Sequence, residues 1–412
     1  MRGVEPMRRK VSLLAALAFL GGALVVGALI KAPCAGTDWS DGRQYELLCY
    51  SDIVPLLGTE QLSGGRLPFL QPCVQTGANC DEYPVLTMYF MRLAAWMSRS
   101  AAGFFWANAW LLTLCAAAVV VCLYRMGGRV LRFALAPTLI VYAFMNWDLV
   151  AVALATAGLL AFLRGRDGPA GVLLGLGAAA KFYPILLVVP LIAARIRQRE
   201  PDGAIRLGWS AGAAWALVNL PFAVTSPSSW SEFFRFNSAR GADWDSLWFI
   251  GCRHVSIDAV CGNVGRINLL SAALFALSFG VIWVVKTRAD PDFPRWMLGF
   301  PLLVTFLLSN KVYSPQYGLW LLPWFALGAT SLSAFVAFEM ADLAVFVTRF
   351  SFFGEYSGFG GLPQWAFETA VLVRTAVLLW CVVAWARRRE DETLPATVPR
   401  VALDAGPLVA TV

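Results

Sequence analysis

Histidine is nearly absent from this chain: a single residue, His254, occurs among 412. A Ser/His/Asp relay cannot be argued from one imidazole, and a zinc site could draw only one ligand from it. No C-x-x-C pair is present, and glycine-rich stretches such as Gly64-Gly65 lack phosphate-cradle spacing. Charge is scarce as well. Asp, Glu, Lys and Arg make up 14% of the residues, against roughly 25% in ordinary soluble domains. With 58% of residues hydrophobic and a mean hydropathy of +0.64, a soluble fold of this length could not hide its apolar surface. No internal repeat of fixed period is visible.

What is there is a series of apolar runs separated by short basic loops. Helices satisfy their own backbone polar groups in lipid, so the fold class expected is an all-α polytopic membrane protein. Val11 to Ile30 is an uncharged run of 20 residues behind Met-Arg-Arg-Lys. That exceeds the ~7–15-residue core of a signal peptide, so it reads as a retained first span. The net charge of +7 falls in loops between spans, the positive-inside pattern, and implies no nucleic-acid partner.

Three basic loops, Arg125 to Arg132, Arg164 to Asp167 and Arg195 to Arg206, enclose two apolar stretches. Phe133 to Leu163 has 31 residues and one charge, Asp148; Gly168 to Ala194 has 27 and one charge, Lys181. Keeping all three loops on one side requires each stretch to fold as a hairpin of about 13–15-residue spans, shorter than the ~20 of a full crossing. Asp148 and Lys181 then sit at the hairpin tips, within a protein-walled cavity. Further spans at Gly103–Tyr124, Leu207–Thr225, Ile267–Val285, Trp296–Asn310, after Lys311, Ala334–Phe350 and Gln364–Ala386 bring the count to about twelve. Both termini are then cytoplasmic, with Arg387 to Arg389 marking the C-terminal end.

The expected organisation is one transmembrane domain over 1–393, with extracytoplasmic loops at 31–102 and 226–266, and a disordered cytoplasmic tail at 394–412. Within the first loop, Pro84 to Ser98 reads as an amphipathic helix lying on the outer surface. Six of nine cysteines fall in these loops in even numbers: Cys34, Cys49, Cys73 and Cys80 in the first, Cys252 and Cys261 in the second. That pattern suggests disulfides in an oxidising compartment. Cys252–Cys261 is the simplest pair, and the first four allow three connectivities. Cys115, Cys122 and Cys381 read as buried residues of spans.

This topology places every polar cluster on one side: Tyr50-Ser51-Asp52, Glu82-Tyr83-Pro84, Asn146-Trp147-Asp148, Lys181-Phe182-Tyr183-Pro184, Phe233 to Asn237 with Arg240 and Asp243, and Asn310 to Tyr317. Ionisable residues at membrane depth are costly and mark function by default. Lys181 and Lys311 could each neutralise a lipid-linked phosphate; alternatively Lys181 pairs with Asp148, or either lysine snorkels to the headgroups. Asp52 could be a general base or only a solvated loop carboxylate; Asp81 and Glu82 could equally serve as base or hold a sugar hydroxyl. Most Trp and Tyr residues fit an interfacial belt, with Trp147, Trp244 and Trp248 as candidates for a sugar platform. A transporter or flippase of a lipid-linked sugar is the alternative, since broken spans and midplane charges occur there too; a non-catalytic envelope scaffold is a third reading.

The clusters together resemble the actinobacterial polyprenol-phosphate-mannose-dependent mannosyltransferases of glycosyltransferase family 87, of the GT-C type. The resemblance runs from about Val11 to Trp324. It is carried by Cys-Tyr-Ser-Asp at 49–52, Glu-Tyr-Pro-Val-Leu-Thr at 82–87, Asn-Trp-Asp-Leu at 146–149 and Gly-Leu-Gly-Ala-Ala-Ala-Lys-Phe-Tyr-Pro at 175–184. Asn-Leu-Pro-Phe at 219–222, Phe-Phe-Arg-Phe-Asn at 233–237 and Asn-Lys-Val-Tyr-Ser-Pro-Gln-Tyr at 310–317 complete it. The segment from Cys252 to Cys261 departs from that pattern.

The resemblance implies an inverting hexosyltransferase of the cell membrane with its site on the outer face. Its partners would be a polyprenyl-phosphate mannose donor and a glycolipid or glycan acceptor, with no metal or other cofactor. It implies Asp52 as catalytic base. Lys181, Lys311, Arg235 and Arg240 are then expected around the donor phosphate, with Arg253 in reserve. Glu82, Tyr83, Asn146, Asp148, Tyr183, Asn237, Tyr313 and Gln316 are expected around the sugars.

Overall fold

A computed structural model of the chain describes residues 11–36, 39–73, 80–255 and 257–388. The basic residues ahead of the first helix, Arg389 and the expected tail at 394–412 lie outside the described residues. Those described are helical throughout, with no strand among them. Five helices are long and apolar enough to cross a bilayer: Leu13–Cys34, Ala101–Arg125, Pro201–Thr225, Val264–Ala289 and Gln364–Arg387. Several of their ends follow capping rules. Ser12, Ser100 and Asn263 accept from backbone N–H groups of the first turns, while Lys31, Arg125, Lys286 and Arg387 occupy the last turns. A sixth long helix, Leu332–Tyr356, buries charged residues in its middle: Glu339, Asp342 and Arg349.

The rest of the expected dozen are shorter pieces paired at three breaks. Pro137–Tyr142 meets Asp148–Leu163 across residues 143–147; Asp167–Ala180 meets Tyr183–Leu187 and Val188–Arg197 across Lys181 and Phe182; Gly299–Ser309 meets Pro315–Trp320 and Leu322–Ala326 across 310–314. Proline occupies the first or second position of Pro137–Tyr142, Tyr183–Leu187 and Pro315–Trp320, where a missing N–H costs least. The hairpin reading of the two low-charge stretches therefore matches where the helices stop. Asp148–Leu163 is apolar on all sides and almost wholly buried, as a central helix must be.

Close helix approach uses small residues. A Cβ on Gly171 or Gly175 would lie 2.3 Å from the Leu207 carbonyl oxygen or 2.2 Å from that of Ala211. This Gly-x-x-x-Gly edge lets Asp167–Ala180 pack directly on Pro201–Thr225.

The basic loops gather at one end of the bundle. Arg132 donates to the carbonyls of Phe325 and Thr330. Arg388 donates to Gly328 O, and its own carbonyl accepts from Lys286. Arg197 pairs with Asp292 and Arg195 with Asp167. The three breaks lie at the other end: the 16 residues from Asp148 to Leu163 separate the two ends by about 24 Å at 1.5 Å per residue.

The first loop is cross-linked by Cys34–Cys49 and Cys73–Cys80 and the second by Cys252–Cys261. Val85–Trp96 is helical, within the stretch Pro84 to Ser98 expected to form an amphipathic helix. It buries Val85, Met88 and Met91 and exposes Leu93 and Trp96, and the Thr87 hydroxyl donates to the Ala180 carbonyl at 2.6 Å. Just before it, buried Arg66 grips Asp81 at 2.8 and 3.2 Å. The backbone N–H of Asp81 donates to Glu60 at 2.6 Å. Asp81 is thus consumed structurally, and the lock fixes the backbone that presents Glu82.

Candidate active site

The three breaks, the first loop and the helix Pro227–Ala239 enclose a cavity of about 820 Å³. Of the residues expected from the sequence, it brings together Asp52, Glu82, Tyr83, Asn146, Lys181, Tyr183, Asn237, Arg240, Lys311 and Gln316.

Asp52 is a carboxylate of this wall held through both of its oxygens. Its backbone N–H donates to Met145 O at 2.8 Å, tying the first loop to the first break. The Tyr50 hydroxyl donates to Oδ1 at 2.8 Å and the Asn146 amide to Oδ2 at 2.8 Å. The Asn146 amide orientation is dictated by its other contacts, because Oδ1 accepts from the Trp147 backbone N–H at 2.7 Å. Its Nδ2 must therefore face Asp52 and the Tyr83 hydroxyl, the latter at 2.9 Å. The charge of Asp52, then burial, pushes the Tyr50 phenol well above its ordinary range, so Tyr50 stays a donor. Each carboxylate oxygen keeps a lone-pair direction for a further proton donor.

Lys181 reaches the cavity from the second break, where a lone lysine ends a small-residue helix. Its Nζ lies 3.3 Å from Asp148 Oδ2 and 3.5 Å from Asn146 Oδ1. Asp148 has no exposed surface and does not line the cavity; it sits behind Lys181, and its other oxygen accepts from Trp320 Nε1 at 2.7 Å. Tyr183 and Tyr317 each stack on Trp320, with ring centroids 4.2 and 4.1 Å apart. The Lys181 ammonium lies 5.2 Å from the Tyr317 ring. An aromatic floor therefore adjoins the lysine, built from Tyr183, Tyr317 and Trp320.

On the opposite wall, Lys311 donates to the carbonyls of Arg240 at 2.5 Å and Ser238 at 3.2 Å. Arg240 is 3.5 Å from Asp243, a buried carboxylate. The cavity wall thus carries four cations (Lys181, Arg240, Lys311 and Arg349) and two carboxylates, Asp52 and Glu82. The counter-charges Asp148, Asp243 and Asp245 are buried behind the cations. Cations therefore outnumber carboxylates on the wall itself. Glu82 is half-buried, and that burial, then the nearby Glu232, raises its carboxyl above the usual range.

Besides Asp148, three expected ligands are elsewhere. Arg235 is directed away from the cavity and pairs with Glu232. Tyr313 is buried beneath Arg374, whose guanidinium carbon lies 3.8 Å from the ring centroid. Arg253 pairs with Glu368. The candidate tryptophan platforms are also away from the wall: Trp147 donates to Asn108 at 2.6 Å, Trp248 to Ser309 O at 2.8 Å, and Trp244 packs among Phe249, Phe352 and Tyr356. Sequence reasoning assigned no role to Tyr50, Trp320 or Arg349. The first could have been found from its place two residues before Asp52; Arg349 carries no local motif.

A pocket of this depth, with one oriented carboxylate and several cations, fits sugar transfer from a phosphate leaving group. The profile of glycosyltransferase family 87 matches residues 82–310, more than half of the chain. This chain belongs to glycosyltransferase family 87. It is therefore a membrane glycosyltransferase using a sugar donor and an acceptor. No curated protein matches the chain. The matched span includes Glu82, Asn146, Lys181 and Arg240 of the cavity, while Asp52, Lys311 and Arg349 flank it. Among the described residues, no group of three or more His, Cys, Asp or Glu side chains could hold a metal ion.

Proposed function

We propose that this glycosyltransferase moves a mannosyl group, with inversion, from a polyprenyl phosphate to an envelope glycolipid or glycan on the extracytoplasmic face of the cell membrane. The observation carrying this reading is the cavity wall itself, where an oriented carboxylate, Asp52, shares Asn146 with a cation, Lys181.

In the proposed reaction the acceptor hydroxyl gives its proton to Asp52 as its oxygen bonds to the sugar's anomeric carbon. The bond from that carbon to the phosphate oxygen breaks on the opposite face, and polyprenyl phosphate leaves with the electron pair. The sugar passes through an oxocarbenium-like state, as in glycoside hydrolysis. Lys181, Lys311 and Arg240 stabilise the departing charge. The phosphate already leaves readily, so no general acid is required. Glu82, Tyr83, Asn237 and Gln316 supply hydrogen bonds to sugar hydroxyls, and Asp148 keeps Lys181 aimed inward. The disulfides in the two loops and the basic residues at the far end of the bundle support an outward-facing cavity.

The test is to supply purified enzyme with radiolabelled polyprenyl-phosphate mannose and an envelope glycolipid extract. Label appearing in a glycolipid with inverted anomeric configuration supports the reading. Transfer only from a nucleotide sugar overturns it.

A further inference from the structure

Arg349 is the cavity-lining cation with the least expected origin. It projects from the middle of Leu332–Tyr356, outside the family match, and is nine-tenths buried. Its guanidinium contacts Asp245 and lies 3.7 Å from Asp243 Oδ1, while Asp243 Oδ2 is 3.5 Å from Arg240. One buried carboxylate therefore stands between two arginines of the cavity wall. The same Asp243 accepts from the Ser314 hydroxyl at 3.4 Å, and its backbone N–H donates to Lys311 O at 2.8 Å. It joins the second loop, the third break and Leu332–Tyr356 at one point. Arg349 Nε has no hydrogen-bond partner among the described residues. Phe353 packs on the guanidinium, its ring centroid 4.7 Å away, and limits its swing.

A buried arginine held by two carboxylates could serve packing alone. Three features point further. It reaches the cavity surface. It retains an unused donor. Asp245 has a second cation, Arg374, at 3.7 Å, so Arg349 is not its sole ionic partner. Guanidinium is also the side chain best shaped for two-point contact with phosphate oxygens.

We infer that Arg349 is a ligand of the donor's phosphate, forming with Arg240 and Lys311 a cationic lip, and that Asp243 is the positioning residue that sets both arginines. This rests on the polyprenyl-phosphate donor proposed above. The product, polyprenyl monophosphate, is the probe, used as an inhibitor of the purified full-length enzyme and compared with uncharged polyprenol. Arg349→Met leaves Asp243 with Arg240 at 3.5 Å and Asp245 with Arg374 at 3.7 Å, an excess of buried negative charge, so the informative variant is Arg349→Met with Asp245→Asn, alongside Arg349→Lys.

Expected results are at least a tenfold rise in the inhibition constant for the monophosphate in the double variant, partial recovery in Arg349→Lys, and no change in the weak effect of polyprenol. Asp243→Asn should raise the donor KM and the monophosphate inhibition constant together, with a smaller change in kcat at saturating donor. An unchanged inhibition constant in a folded double variant overturns the inference while leaving the donor reading intact. If the wild-type enzyme is not inhibited by the monophosphate at all, the donor reading fails and takes the inference with it.

Discussion

Asp52 and Lys181 do not touch: Asn146 stands between them, donating to the carboxylate at 2.8 Å and accepting from the ammonium at 3.5 Å. In the proposed reaction this spacer would keep Asp52, the base, and Lys181, the cation, from collapsing into an ion pair that would silence both. In that reaction it would also let a proton leave one face of the sugar towards Asp52 while the phosphate departs from the other towards Lys181.

Replacing that spacer by a carboxylate gives a pH prediction. In Asn146→Asp two carboxylates share the site, and the like charge raises the apparent pKa of the pair. A base must be deprotonated to work. The acid limb of the kcat/KM profile should therefore move to higher pH, by about one unit or more. An unmoved limb would mean that Asp52 does not control it.

The Lys181–Asp148 pair separates stability from chemistry. Lys181→Met leaves Asp148 buried without its cation, a loss of about 3–5 kcal/mol. Lys181→Met with Asp148→Asn removes both charges and should recover most of the thermal stability. It should not recover transfer. Thermal unfolding and single-turnover assays on the same preparations check this.

The first loop carries its own titration. Burial pushes the Glu60 carboxyl up to about 8; Arg66 lies 4.0 Å away but is engaged by Asp81 at 2.8 Å. A carboxyl whose folded value is raised contributes stability below its ordinary range of about 4.3, and that contribution is lost as pH rises through about 8. Hydrogen exchange at the Asp81 and Glu82 amides should lose protection above that pH in the wild type. In Glu60→Gln the loss should vanish.

Sidedness is checked by labelling. Ser238→Cys and Asn268→Cys, both on the cavity wall, should react with a membrane-impermeant maleimide added outside intact cells. A cysteine replacing Arg164, at the far end of Asp148–Leu163, should react only after permeabilisation. The reverse pattern would turn the cavity towards the cytoplasm.

The helix breaks were legible because a lone charge in a long apolar stretch is expensive unless the helix ends there. Asp148 and Lys181 announced two breaks, and Pro184 marked the second. The third showed as a polar run at 310–317. Arg235 was misplaced because composition was read without phase. Along Pro227–Ala239, positions 233, 236 and 237 share an arc facing the cavity, and 235 falls opposite. Asp148 was recognised as special, but a sequence cannot say whether a carboxylate faces substrate or backs a lysine. Arg349 was out of reach for a related reason. Its meaning comes from Asp243 and Asp245, a hundred residues upstream, and only the packing of the second loop on Leu332–Tyr356 brings them together.

The most direct measurement is the rate of transfer at saturating donor by purified, folded Asp52→Asn. Asn keeps the size and the hydrogen-bonding reach of Asp52 but cannot take a proton. A fall of about 10²–10⁴-fold in kcat, with donor binding near wild type, is the result this account predicts. Transfer at the wild-type rate would contradict it.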